Sequence, residues 1–220
     1  MSNAARPAER AETDAAATFR AAVGDLEAAM QRQRQPRPEL AFDNQPPPRK
    51  LAPYAAAVGA TVHDPAGPRR SPGGQEADAG EIGWGSFVLL YDPAGQDGWT
   101  GPFRVVVYLR ADLEAEIAAD PLIGQVGWSW LTEALDARTS GYRQPSGTVT
   151  RVVTESFGAK QGEPTATSFE LRASWSPAGR ADLGGHLEAW CDALCTASGL
   201  PPLPEGVSAL RAPRRSERPR

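Results

Sequence analysis

Apolar residues at Phe19, Val23, Leu26 and Met30 form a single stripe at helical spacing, which predicts an N-terminal helix with Asp14 as its cap. The segment QRQRQPRPELAFDNQPPPRK (31–50) breaks that period with prolines and reads as an extended linker. Residues 51–62 (LAPYAAAVGATV) carry two signals. Their alanines favour helix, whereas Gly59, Thr61 and Val62 fit a short strand, and we assign strand. From Asp64 to Gly80 the sequence DPAGPRRSPGGQEADAG has no period and many breakers. It reads as a disordered loop, longer than most connections inside a compact domain.

Two β-rich runs follow, WGSFVLLYD and FRVVVYLR, joined across 92–102 by a hairpin tip rich in Gly, Asp and Trp99. Both faces of the first run are apolar, which predicts a central strand. Asp112 and Asp120 read as helix caps, the second followed by Pro121 at a favoured first position. The helix ending GWSWLTEALDAR carries a wide apolar surface from Trp128 to Leu135. In a second hairpin, Val149, Val153 and Phe157 share one face. On its return strand Phe169, Leu171, Ala173 and Trp175 alternate with Ser168, Glu170, Arg172 and Ser174, the pattern of a half-buried strand. The last helix, 182–198, aligns Leu183, Leu187, Trp190, Cys191, Leu194 and Cys195, and Gly199 and Pro201 end it. The predicted fold is α+β, an antiparallel sheet of about five strands with helices on one face, in the order αβββαββα. One domain over 13–204 is expected, with flexible segments at 31–50 and 64–80, a disordered N-terminus over 1–12 and a disordered basic tail over 205–220.

Composition narrows the classes. Apolar residues at 40% and charged residues at 23% suit an ordinary globular protein. A net charge of −4 provides no overall basic field toward nucleic acid or anionic membrane. No apolar run reaches the ~20 residues of a membrane helix, and MSNAARPAERAETD lacks the apolar core of a secretory signal. A cytoplasmic location without membrane association is expected.

The candidate chemistry is sparse. Cys191 and Cys195 lie on the apolar stripe of the last helix with His186 off it, so they read as small buried hydrophobes and not as metal ligands. Asp112, Glu114, Glu116 and Asp120 cluster in sequence but read as caps and a solvated helix face. The 92–102 loop lacks a phosphate-binding pattern, and the serines have no GxSxG context. No catalytic, metal or cofactor site is predicted.

The segments RKLAPYAAAVGA, LLYDPAGQDGWTGPFRVVVYLRADLEAEIAADPL, VGWSWLTEALD, ELRASW and HLEAWCDALCTASGLPP lie between Arg49 and Pro204. Together they resemble an actinobacterial family catalogued as domain of unknown function 3000. The resemblance implies a bacterial cytoplasmic protein and a gene neighbourhood shared with a ribonuclease D-type exonuclease, but it implies no activity. The element order also looks like that of type III secretion chaperones, dimeric α+β domains that bind polypeptides; this is an analogy of topology, and fold does not fix function.

The sequence therefore directs attention to an outward sheet face. Arg104, Val106, Tyr108 and Arg110 alternate outward on one strand and Glu170 and Arg172 on another, joined by Arg151 and Glu155 if their strand takes the matching register. Arginine mixed with Val and Tyr is a composition typical of partner surfaces, and Trp99 is a candidate anchor beside it. The leading expectation is a non-enzymatic, chaperone-like or scaffold domain that binds a protein partner, with homodimerisation a candidate. The alternatives are an RNA-linked accessory factor using the Arg-rich tail on nucleic-acid phosphates, and an enzyme with an unfamiliar site near Asp92, Asp97 and Trp99.

Overall fold

A computed structural model describes residues 5–66, 80–179, 182–200 and 202. Its elements are α1 (Ala5–Arg34), β1 (Leu40–Gln45), β2 (Tyr54–His63), β3 (Glu81–Tyr91), β4 (Phe103–Leu113), α2 (Ala115–Ala118), α3 (Ile123–Arg138), β5 (Tyr142–Thr154), β6 (Ala166–Pro177) and α4 (Leu183–Ala197). The strands form one antiparallel sheet of six in the order β1-β2-β3-β4-β6-β5. The fold is α+β, as expected, with one strand more than the sequence pattern disclosed. Residues 54–62 are strand.

The additional strand, β1, lies in the stretch read as a linker. Leu40 is buried, and Phe42 packs against the core. Prolines 36, 38 and 46–48 flank the strand without entering it, and this hides a short run of β residues from any test of period. A second difference is at the N-terminus. Helix α1 begins at Ala5, and Asp14 sits inside it, its carbonyl accepting from the Thr18 hydroxyl at 2.8 Å. The segment is rich in Ala, Glu and Arg, good helix formers, and Pro7 falls in the first turn, where a missing N–H costs nothing. Asp112 is likewise not a cap, because β4 continues through it. Nor is Asp120 the N-cap of α3, a position Leu122 holds, but it braces the turn before that helix, accepting from Leu122 N at 2.8 Å. Most of the loop expected over 64–80, and the tail over 205–220, fall outside the described residues.

All three long helices lie on one face of the sheet. Helix α4 is the centre of the layer and is buried almost all round, with α1 and α3 on either side of it. Small residues permit that closeness: a Cβ on Gly184 would stand 2.9 Å from the Asp25 carbonyl oxygen of α1, and one on Gly185 would collide with the Arg138 carbonyl of α3. The exposed edge of α4 is tied to the same two helices by charge, Glu188 to Arg32 at 2.7 Å and Asp192 to Arg138 at 2.8 Å. Beneath α4, Trp190 and Trp175 are completely buried against Phe87 and the β4–β6 pair. Among the described residues no helix covers the sheet's other face.

Candidate interaction surface

Strand register decides what the uncovered face presents. In β4 the buried residues are Phe103, Val105, Val107, Leu109 and Ala111, so Arg104, Val106, Tyr108 and Arg110 project the other way. Pairing with β6 sets Tyr108 beside Arg172 and Arg110 beside Glu170. The Arg172 guanidinium sits over the Tyr108 ring, 4.9 Å from its centroid, and binds Glu170 at 3.0 Å. Burial raises the Tyr108 phenol above its ordinary range, and the Glu170 carboxylate adds to that rise.

Trp84 completes the cluster. Its ring lies 5.0 Å from that of Tyr108, and it remains 38% exposed. The sequence did contain the signal: Trp84, Ser86 and Val88 alternate with Gly85, Phe87 and Leu89. Because both sets look apolar, the alternation did not single out a surface aromatic.

Next to this stack the face is hollowed into a shallow depression of about 570 Å³, lined by Ser86, Val88, Val106, Tyr108, Thr148 and Ser174. Arg104 stands at its end. Its guanidinium donates to the Ser174 hydroxyl at 2.7 Å and to that of Ser176 at 3.4 Å, and no carboxylate of the described residues pairs with it. Burial holds its pKa below the usual arginine value. A half-buried cation held only by hydroxyls retains capacity for an anion.

Trp99 is not in the depression. It is half-buried within the 92–102 loop, which closes on itself through Asp92 N to Pro102 O and Gly95 N to Asp92 O, each 2.9 Å. The Asp92 carboxylate is occupied by Ala94 N and by the Gln96 amide, both at 3.0 Å. The loop meets the face through one group: Ser176 Oγ accepts from Thr100 N at 3.0 Å and from Arg104. Trp99 thus flanks the Arg104 end of the depression.

Arg151 does not join the outward set. It pairs with Phe169 and so points to the helix side, where it donates to the Ala118 and Asp120 carbonyls at 3.1 and 3.2 Å. Glu155 lies beyond the end of β5, and Thr148, Thr150 and Val152 take the outward positions there.

Cys191 and Cys195 are buried and unpaired; burial pushes the Cys195 thiol up to about 12 and that of Cys191 well above its ordinary value, so neither offers a thiolate near neutral pH. His186, although off the apolar stripe, is also buried, and its Nδ1 accepts from Trp175 Nε1 at 3.1 Å. Among the described residues no group of three His, Cys, Asp or Glu side chains is placed to hold a metal ion, and no helix is long and apolar enough to cross a membrane.

A family model described as protein of unknown function (DUF3000) matches residues 15–208. The chain belongs to the DUF3000 family. No curated protein and no solved structure matches it. The matched span starts inside α1 and runs past α4, so the DUF3000 unit takes in α1 from Ala15 on and β1, which lie before the segments that carried the sequence resemblance. Every residue of the aromatic–arginine cluster and of the depression falls within it.

Proposed function

We propose that this DUF3000 chain is a non-enzymatic, cytoplasmic protein-interaction domain that binds another polypeptide on its uncovered sheet face. The observation that carries the reading is the pairing of an apolar depression with a half-buried Arg104 that has no carboxylate partner among the described residues. A segment that seats one apolar side chain between Val88 and Val106 and presents a carboxylate to Arg104 fits that pairing. The Trp84–Tyr108–Arg172 stack would form one wall. Tyr, Trp and Arg are the residue types that most often dominate binding energy. The enzyme reading has less support, since the Asp92 carboxylate serves its own loop.

Affinity capture from the native host tests the reading, with the wild type beside a Val106→Asp, Tyr108→Asp variant. Both side chains sit on the uncovered face, so the fold should survive, as circular dichroism will check. The expected result is loss of specific polypeptides from the variant. Capture of the same proteins by both forms removes the face from consideration. Recovery of RNA instead, weakening steeply with salt, transfers the role to the RNA-linked alternative.

A further inference from the structure

Strand β5 ends the sheet: β6 pairs with one side of it, and among the described residues no strand pairs with the other. After an irregularity between Arg143 and Ser146 the strand keeps regular register to Thr154. That run, SGTVTRVVT, is rich in β-branched residues, contains no proline and carries a single charge, Arg151. Proteins usually blunt such an edge with prolines, charges or bulges, because its unpaired N–H and C=O groups are a template for another strand.

An apolar corner adjoins this edge on the helix side. The described surface exposes seven large hydrophobic residues, and five of them are Ile117, Leu122, Val126, Val153 and Phe157. Arg151 links three of them. Its guanidinium holds the Ala118 and Asp120 carbonyls, which brings Ile117 and Leu122 to the strand, and Val153 is the next residue of β5 on that side. Phe157, the most exposed at 77%, comes three residues after the strand ends at Thr154. Strand pairing alone makes a narrow contact; the corner supplies apolar surface to desolvate beside it.

We propose that this edge is a homodimer interface, in which β5 pairs antiparallel with β5 of a second copy and joins the two sheets into one. Self-complementarity argues for a second copy as the occupant. With the two-fold axis at Thr150 the whole regular run pairs: Ser146 with Thr154, Gly147 with Val153, Thr148 with Val152 and Val149 with Arg151. Thr150 then faces its twin, Thr148 faces Val152 and no like charges are opposed. Moving the axis to Arg151 would set two arginines face to face, and moving it to Val149 would bring Pro145 into the ladder. The same axis sets Val153 of one copy opposite Gly147 of the other, beside which Trp128 lies, so each apolar corner covers that end of its partner. The interface is separate from the outward face proposed above, which would continue across both copies.

Light scattering during gel filtration tests the idea on the full chain. At about 50 µM, a concentration at which a micromolar complex is mostly assembled, the expected mass is twice the 23.4 kDa of the chain. A Val153→Asp, Phe157→Asp variant, altered only at exposed positions, should run at the single-chain mass with an unchanged circular dichroism spectrum. Thr150→Cys should oxidise to a covalent dimer, because directly opposed residues place their Cα atoms about 4.5–5.5 Å apart, within disulfide reach. The native cysteines are buried and do not compete. Ser146→Cys, whose expected partner is Thr154, should not crosslink. A monomeric wild type overturns the proposal, as does a double variant that stays dimeric, or equal crosslinking at 146 and 150.

Discussion

Trp190→Ala is expected to lower stability by about 3–5 kcal/mol, the usual cost of truncating a core tryptophan. That is a large share of the 5–15 kcal/mol available to a typical domain. Trp190 is fully buried, its ring stands 5.8 Å from that of Phe87, and its Nε1 donates to the Tyr108 carbonyl at 3.2 Å. Removing the ring therefore opens a cavity under α4 and takes away a hydrogen bond to the residue whose side chain anchors the outward face. Trp190→Phe separates the two effects in part, since it keeps most of the burial and loses the hydrogen bond, a net contribution of about 0.5–1.5 kcal/mol. Thermal melting followed by circular dichroism should show the alanine variant roughly 10 °C below wild type, with phenylalanine between. A Trp190→Ala midpoint within about 2 °C of wild type would contradict this packing.

The second large effect is with pH. His186 is 2% exposed and accepts a hydrogen bond from Trp175, so it must be neutral on the nitrogen that accepts. Burial lowers its folded pKa from 6.5 to about 4, against a smaller opposing influence of Asp182. The unfolded chain takes up this proton first as the pH falls. Stability from this group is complete above the unfolded pKa of 6.5, drops as the pH falls toward about 4 and then levels off. A gap of that width corresponds to about 3 kcal/mol at most. Carboxylates titrate in the same region, so the decisive comparison is with His186→Gln, which retains an acceptor and cannot titrate. Urea unfolding at pH 7 and pH 4.5 should show the wild type losing about 2–3 kcal/mol more than the variant. Equal losses would place His186 outside the linkage.

The fold was legible where period and burial agree. Phe169 to Trp175 alternate because one face of β6 lies under the helices and the other does not, and that strand reads correctly from sequence alone. Strand β1 was hidden because prolines on both sides resemble a linker, although only the six residues between them enter the sheet. The early start of α1 was hidden for the opposite reason, since Ala, Glu and Arg extend a helix without any apolar stripe to mark it. His186 lies off the apolar stripe of its helix and is buried all the same; α4 is enclosed by the sheet, α1 and α3, so one stripe does not describe its environment.

The surface residues divide in the same way. Arg104, Val106, Tyr108, Arg110, Glu170 and Arg172 follow from alternation on two well-patterned strands, and the structure brings them to one face. Trp84 was missed because its strand is apolar on both sides. Arg151 depended on a register that sequence does not set, since a shift of one residue exchanges the two faces. Trp99 could be flagged as an aromatic among glycines, but its half-buried position beside Arg104 follows from the closure of its loop, which local sequence does not reveal.

A photo-crosslinking residue placed at Val106 in living host cells tests the interaction reading most directly, with one at Glu27, exposed on α1, as control. The expected result is discrete polypeptide adducts at position 106 that are absent at 27 and are lost when Arg104 is changed to Glu. No adduct at 106, or the same adducts at both positions, would contradict it.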